Sequence, residues 1–357
     1  MAVQTLNKRQ LQRPLMMIYT KTLAKLCRYP KLTSDLIVNA FKKHENLGVE
    51  VFSIDIGVPG FEIATDEGLC FITERPISYY NEKSGRITCY QESAIAFSLP
   101  IPLHLGQGQV DQAIFAISHA DNPKDAADHW LNEIFCPEIA ATYFNKYFSN
   151  SNSLKDYRII IFEAIEAYYL GMDHLAIMSL IPVFEAGLRN IQNSMLSTQQ
   201  DNISADVFEK QLKEIIIQWG RRRLSAYIWH PGKNYNSAIE IDFLTHICPQ
   251  SDVVNAFRNY FRRVLYKPSY GNVDGFNRHI IMHLLKNDFN NPANFPRIFI
   301  CLTHITFMES LSNQNVPFFW PGIDEKDYAV ADYFIQISKS FGDPRRPSLR
   351  LLGIDGY

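Results

Sequence analysis

The chain has 357 residues, 46% of them hydrophobic and 20% charged, which excludes a disordered chain and, at roughly 100–200 residues per domain, points to two domains. Thirty-five Lys+Arg stand against 37 Asp+Glu, so a globally basic nucleic-acid coat is excluded while a local basic groove remains open. No uncharged apolar run reaches about 18 residues, and the polar start Met1–Gln10 lacks the apolar segment of a secretory signal, so a cytoplasmic protein is expected.

Apolar residues at helical spacing from Leu15 to Phe41, broken at Pro30, predict helix over 15–45. From Val49 to Tyr90 β-favouring residues alternate with turn signals such as Pro59-Gly60 and Ser84-Gly85, which predicts a small antiparallel sheet. Residues 100–110 read as a loop. Gly106-Gln107-Gly108 is too short for a phosphate loop, because no further Gly, Lys or Ser/Thr follows at the required spacing. Helical spacing returns over 122–148. The run Ser149-Asn-Ser-Asn-Ser153 is the best candidate for a domain boundary.

Helices are then expected over 154–170, 174–195, 205–219, 251–266 and 295–311. The second of these is apolar on nearly every side in its first half, as suits a bundle centre, and Pro182 is expected to kink it or open its first turn. A Gly/Asn-rich loop covers 267–277. The tail reads as irregular apart from a helical stretch near 325–340. The expected fold is therefore an α+β region over 1–148, an all-α bundle over 154–312 and a C-terminal extension over 313–357. Cys27, Cys70, Cys89, Cys136, Cys248 and Cys301 show no zinc-knuckle or redox spacing and are expected to be reduced thiols packed as small hydrophobes.

The chemistry-bearing stretch is Asn277-Arg-His-Ile-Ile-Met-His283. On an ideal helix Arg278 and His283 are rotated by roughly 140° and separated by about 7.5 Å of rise, so a common target requires the long Arg to reach round. Such a pair suits a phosphodiester. A guanidinium holds phosphate oxygens through a planar, permanently charged fork, and an imidazole exchanges protons near neutral pH. RNA supplies its own nucleophile in the 2′-hydroxyl. Taken alone the spacing is equally that of a capping Arg and a partly buried His. His279 and His283 also stand i,i+4, as metal ligands do, with Asp288 the one nearby third ligand; no metal and no cofactor is expected.

The surrounding segments narrow this choice. Phe276–His283 together with Pro182-Val-Phe-Glu-Ala-Gly-Leu-Arg189 resembles the HEPN superfamily, in the branch of abortive-infection and toxin proteins. There an Asn-Arg-His-x-x-x-His signature follows a helix pair bearing Pro-x-x-Glu-x-x-Leu-Arg. The resemblance covers roughly 154–312. It implies a HEPN-like helical bundle that dimerises and, in catalytic members, a metal-independent endoribonuclease; other members are non-catalytic dimerising or RNA- or protein-binding modules. It implies His283 as general base or acid, Arg278 as the group neutralising phosphate charge, and His279 as an orienting or second proton-transfer group. Glu185 would hold Arg278 or a motif histidine, or else pair with Arg189 four residues on. Asn277 reads as a helix cap. Many relatives place Gly after the motif histidine; this chain has Leu284.

RNA is the expected substrate, with an antitoxin or defence-system protein as a possible partner and no membrane. Over 250–290 six basic residues stand against three acidic ones. Arg258, Arg262, Arg263 and Tyr270 are the candidates for an RNA groove, although a solvated helix face with core tyrosines explains the same pattern.

Overall fold

The computed structural model describes residues 16–43, 48–81, 86–202, 204–268 and 276–354. They form two units. One comprises Met1–Cys89 with Lys213–Asn255, the other Tyr90–Leu212 with Ala256–Tyr357.

Alternation along short strands builds the first unit. Strands β1 (Glu50–Asp55), β2 (Pro59–Thr65) and β3 (Gly68–Thr73) form an antiparallel meander, with Phe61 opposite Ile72 and Ile63 opposite Cys70. These four side chains share one face. Tyr19, Leu23 and Leu26 from a helix over 16–26, and Ile37 and Phe41 from the helix Ser34–Lys42, cover it. Phe71 points the other way, into Val58, Tyr80, Phe243 and Ile247, and stacks on Phe243 at 5.8 Å. Burying one ring of that size contributes roughly 1.5–3 kcal/mol. Period-two patterning thus places a core on each side of one small sheet. β1 is exposed along most of its length, as edge strands are.

The fourth strand comes from the far half of the sequence. β4, Tyr227–Trp229, lies parallel to β3, Trp229 joins the first core, and the Tyr227 hydroxyl donates to Glu62 Oε2 at 2.9 Å. The second half is therefore not all-helical. The residues Ile77–Tyr80 and Ile87–Ala94, expected as strand, form a 3₁₀ turn and a helix. Asp252 accepts from the N–H groups of Ile87 at 2.6 Å and Thr88 at 3.0 Å. A distant carboxylate satisfies the first-turn donors, and this outweighs the β preference of Ile87, Thr88 and Tyr90.

The second unit is helical among its described residues. The helix Asn294–Ser310 is buried along nearly its whole length and packs on Asp173–Leu196, which packs in turn on Arg158–Tyr169. Asp173–Leu196 is continuous through Pro182. The expected loop at 100–110 ends early. Gln109 Oε1 accepts from the Gly106 N–H at 2.9 Å and starts a helix, Gln107–Ser118.

The domain limits differ from those expected at 148, 154 and 312. Residues 149–153 are no linker: Ser151 and Ser153 are buried and bonded to Glu309. The tail is no loose extension either. It forms helices Glu325–Ile337 and Asp343–Leu351, and Arg346 forks onto Asp173 at 2.6 and 2.9 Å while donating to the Tyr168 carbonyl.

No disulfide joins the six cysteines, and Cys70, Cys248 and Cys301 are buried; burial pushes the Cys70 thiol up to about 12. Among the described residues no helix is long and apolar enough to cross a membrane.

Candidate functional site

Asn277 sets the site. Its side-chain oxygen accepts from the N–H groups of His279 at 2.9 Å and Ile280 at 3.3 Å, which caps the short helix Arg278–Met282. Its amide nitrogen donates to the Lys267 carbonyl at 2.8 Å. Fully buried, Asn277 therefore ties the start of this helix to the end of the π-turn Phe261–Leu265.

Arg278 and the two histidines then have different surroundings. Arg278 is half-buried and forks onto Glu185 of the long helix, Nε to Oε1 at 2.5 Å and Nη2 to Oε2 at 3.2 Å. The Tyr266 hydroxyl donates to the same Oε1, and the guanidinium carbon lies 5.8 Å from the Tyr266 ring centroid. Burial works against the Arg278 charge, but hydrogen bonds and charge from Glu185 outweigh it and raise its pKa. Burial first, then the Glu185 charge, holds the Tyr266 phenol protonated far above its usual range. Glu185 takes two of the five guanidinium N–H groups, so Arg278 is positioned without being used up. Its partner is Arg278, not Arg189. His279 and His283 are exposed, with ring centroids 4.5 Å apart. One short helix and its cap thus carry two exposed imidazoles and a guanidinium held by a largely buried carboxylate.

The turn after His283 holds Leu284 in an unusual backbone conformation. Leu285 N–H bonds to the Ile280 carbonyl and Leu284 N–H to that of Ile281, the paired bonds of a Schellman cap, whose linking residue is left-handed. That residue is Leu284, at φ 50°. A side chain in this region costs of order 1 kcal/mol, and Leu284 is 62% exposed, so little packing offsets it. Leu284→Gly is expected to leave the fold unchanged and raise stability by about 0.5–1 kcal/mol, read as a higher urea midpoint. A lower midpoint would mean that the exposed leucine makes contacts worth more than its strain.

The expected RNA-binding residues are already engaged. Arg262 pairs with Asp206 at 3.0 Å and Glu209 at 3.4 Å, and Arg263 pairs with Glu92. Arg258 donates to Asn259, and burial lowers its pKa. These three do not make a field of uncompensated charge. Tyr260 is buried in the core, and Tyr270 lies outside the described residues. In the sequence Tyr266 is one of the tyrosines interleaved with these basic residues and able to stack a base; in the structure its hydroxyl goes to Glu185, a partner far along the chain to which no local pattern links it. Among the described residues no group of three or more His, Cys, Asp or Glu side chains is placed to hold a metal ion.

Comparison with known proteins brings no match, whether to a family model, a curated protein or a solved structure.

Proposed function

We propose that the protein is a HEPN-like endoribonuclease that cleaves RNA by attack of its own 2′-hydroxyl. The observation that carries this reading is that the Glu185-anchored Arg278 and the exposed His279/His283 pair belong to the same short helix and its cap. One imidazole, assigned to His283, removes the 2′-hydroxyl proton. The 2′-oxygen bonds to phosphorus, and the bond to the 5′-oxygen breaks. A protonated imidazole, assigned to His279, delivers a proton to that leaving oxygen, and a 2′,3′-cyclic phosphate remains. Arg278 neutralises charge that builds on the phosphoryl oxygens. Stabilisation of this kind contributes a few kcal/mol in other enzymes.

The resemblance to abortive-infection and toxin proteins suggests a cytoplasmic homodimer that acts in phage defence or under an antitoxin, with two such sites in one cleft. Purified protein incubated with single-stranded and structured RNA in EDTA tests the activity. Wild type is expected to yield cyclic-phosphate ends, and His283→Ala to cut about 10²-fold or more slowly. Equal cutting by the variant, or none by wild type, removes the reading. The pairing of Arg262 and Arg263 with carboxylates favours a second reading, a non-catalytic dimerising module. It gains if Arg278→Ala and His283→Ala leave the cellular phenotype intact.

A further inference from the structure

The strongest local excess of positive charge lies in the first unit, away from the motif. Residues 16–43 carry Lys21, Lys25, Arg28, Lys31, Lys42 and Lys43 against Asp35 alone, in a chain whose net charge is −2. The described residues of this stretch form two helices, over 16–26 and Ser34–Lys42. Their connection is held by Thr33, which accepts from the Leu36 N–H, and by the Leu32 N–H, which donates to the Glu74 carbonyl at 2.8 Å. Lys31 pairs with Glu74 at 3.3 Å. Lys25 and Lys43 make no ion pair with any described residue.

These two lysines line one groove of about 240 Å³ between the helices. The first helix lends it Thr22, Lys25 and Leu26, with Tyr29 in the bend that follows, and the second lends it Leu36, Asn39, Ala40 and, just past its end, Lys43; spacings of three and four from Thr22 and from Leu36 keep each helix's residues on one face. The floor is apolar, and Leu26 is buried. On the rim, Tyr29 is 48% exposed. Two unpaired ammonium groups, an open phenol ring and the Asn39 amide in a slot too small for a whole drug-sized ligand suit successive nucleotides of a flexible strand. Phosphates meet the lysines, a base stacks on the ring, and the amide reaches a base edge.

We infer that this groove is a binding site for single-stranded RNA, with Lys25 and Lys43 on the phosphates and Tyr29 as the stacking platform. It belongs to the first unit, whereas Arg278 belongs to the second, and it holds whether or not the Arg278 site cleaves. An acidic protein segment would use the lysines but gain little from an open ring and a side-chain amide.

The test is fluorescence anisotropy of the full chain with a labelled 2′-O-methyl oligouridylate of about twelve nucleotides. Such a strand has no free 2′-hydroxyl, so failure of the cleavage reading leaves this measurement intact. Binding is expected to weaken with salt. Lys25→Glu combined with Lys43→Glu should reduce affinity at least tenfold and lower the salt slope by about 1.4, two single-strand phosphate contacts' worth. Tyr29→Ala should cost about fivefold or more with the slope unchanged. The substituted lysine ends are exposed, and Lys→Gln at both positions, with thermal unfolding matched to wild type, separates binding from folding. Unchanged affinity in the folded double variants overturns the site. Displacement of the strand by oligoglutamate at equal charge, with Tyr29→Ala silent, overturns the assignment to RNA and makes the ligand an acidic protein.

Discussion

Replacing Glu309 with Ala is expected to destabilise the second unit by about 3–5 kcal/mol, a large part of the roughly 5–15 kcal/mol that holds a domain folded. The carboxylate is 3% exposed and its two oxygens accept from four donors. These are the Ser151 hydroxyl at 2.6 Å, the Asn152 N–H at 2.6 Å, the Ser153 N–H at 3.2 Å and the Asn313 amide at 2.7 Å. Hydrogen bonds to a charged acceptor contribute about twice as much as neutral ones. Removing the acceptor strands buried donors, at about 1–3 kcal/mol each where water cannot enter. Glu309→Gln tests the charge itself: it keeps the shape, yet turns an NH₂ group toward donors, and is expected to cost about 2 kcal/mol or more. Urea unfolding followed by circular dichroism measures both. A loss below about 1 kcal/mol for Glu309→Ala would show that the turn is satisfied by other means.

The same turn explains why part of the fold was illegible in the sequence. Ser149–Ser153 has the composition of a solvated linker, because Ser and Asn serve equally in exposed loops and as groups bonded to a buried partner. What decides between them is Glu309, more than 150 residues away. β4 failed for a related reason. Tyr227–Trp229 is too short to display a period, and its strand character comes from parallel pairing with β3. Local signals did better. The stripes of 158–169 and 294–310 and the cap at Asn277 are set by neighbours a few residues apart; the second helix and the cap appear within a residue of their expected places, and the first begins four residues after its expected start.

The candidate site divides in the same way. Asn277, Arg278, His279 and His283 are adjacent in sequence, so their shared turn was readable. The Glu185–Arg278 pair was one of three options, because a motif histidine and a helix neighbour, Arg189, competed for the same carboxylate; packing of the short helix against the long one decided it. The basic groove at Arg258–Arg263 was read from charge on one segment. Its neutralising partners Asp206, Glu209 and Glu92 come from other segments, and a charge count along the chain cannot register them. By contrast the excess over 16–43 survives folding at Lys25 and Lys43, which is why the inferred RNA groove rests on structure and sequence together.

Mild acid is expected to destabilise both units, by about 1.4 kcal/mol per pH unit for each buried neutral histidine. His230 in the first unit is fully buried and stacked on Phe243 at 5.5 Å; burial pushes its pKa down to about 3. Glu240 lies 3.5 Å from its Nε2, a distance that suggests an ion pair. That carboxylate is already forked onto Arg221 at 2.7 and 2.9 Å, and Arg221 and Lys233 also oppose a second positive charge, so the imidazole stays neutral. His304 in the second unit is buried against Phe257 at 4.9 Å, and burial lowers its pKa to about 4. With the Ile300 carbonyl as acceptor, its Nδ1 carries the hydrogen, and Nε2 has no partner among the described residues; a proton there would meet only apolar surroundings. Both groups are neutral in the fold and titrate near 6.5 once unfolded. Their contribution is therefore complete above about pH 6.5 and is lost as pH falls toward 4, a window above that of ordinary carboxylates. Urea midpoints are expected to hold level from pH 8 to 7 and drop steeply between 6.5 and 4.5. His304→Phe, which keeps a ring against Phe257, should reduce that drop for the second unit without abolishing it, because burial also lowers the pKa of His104 there to about 4, while the first unit's acid sensitivity stays in place. A wild-type midpoint independent of pH down to 5 would mean that these imidazoles gain a proton as readily in the fold as in water.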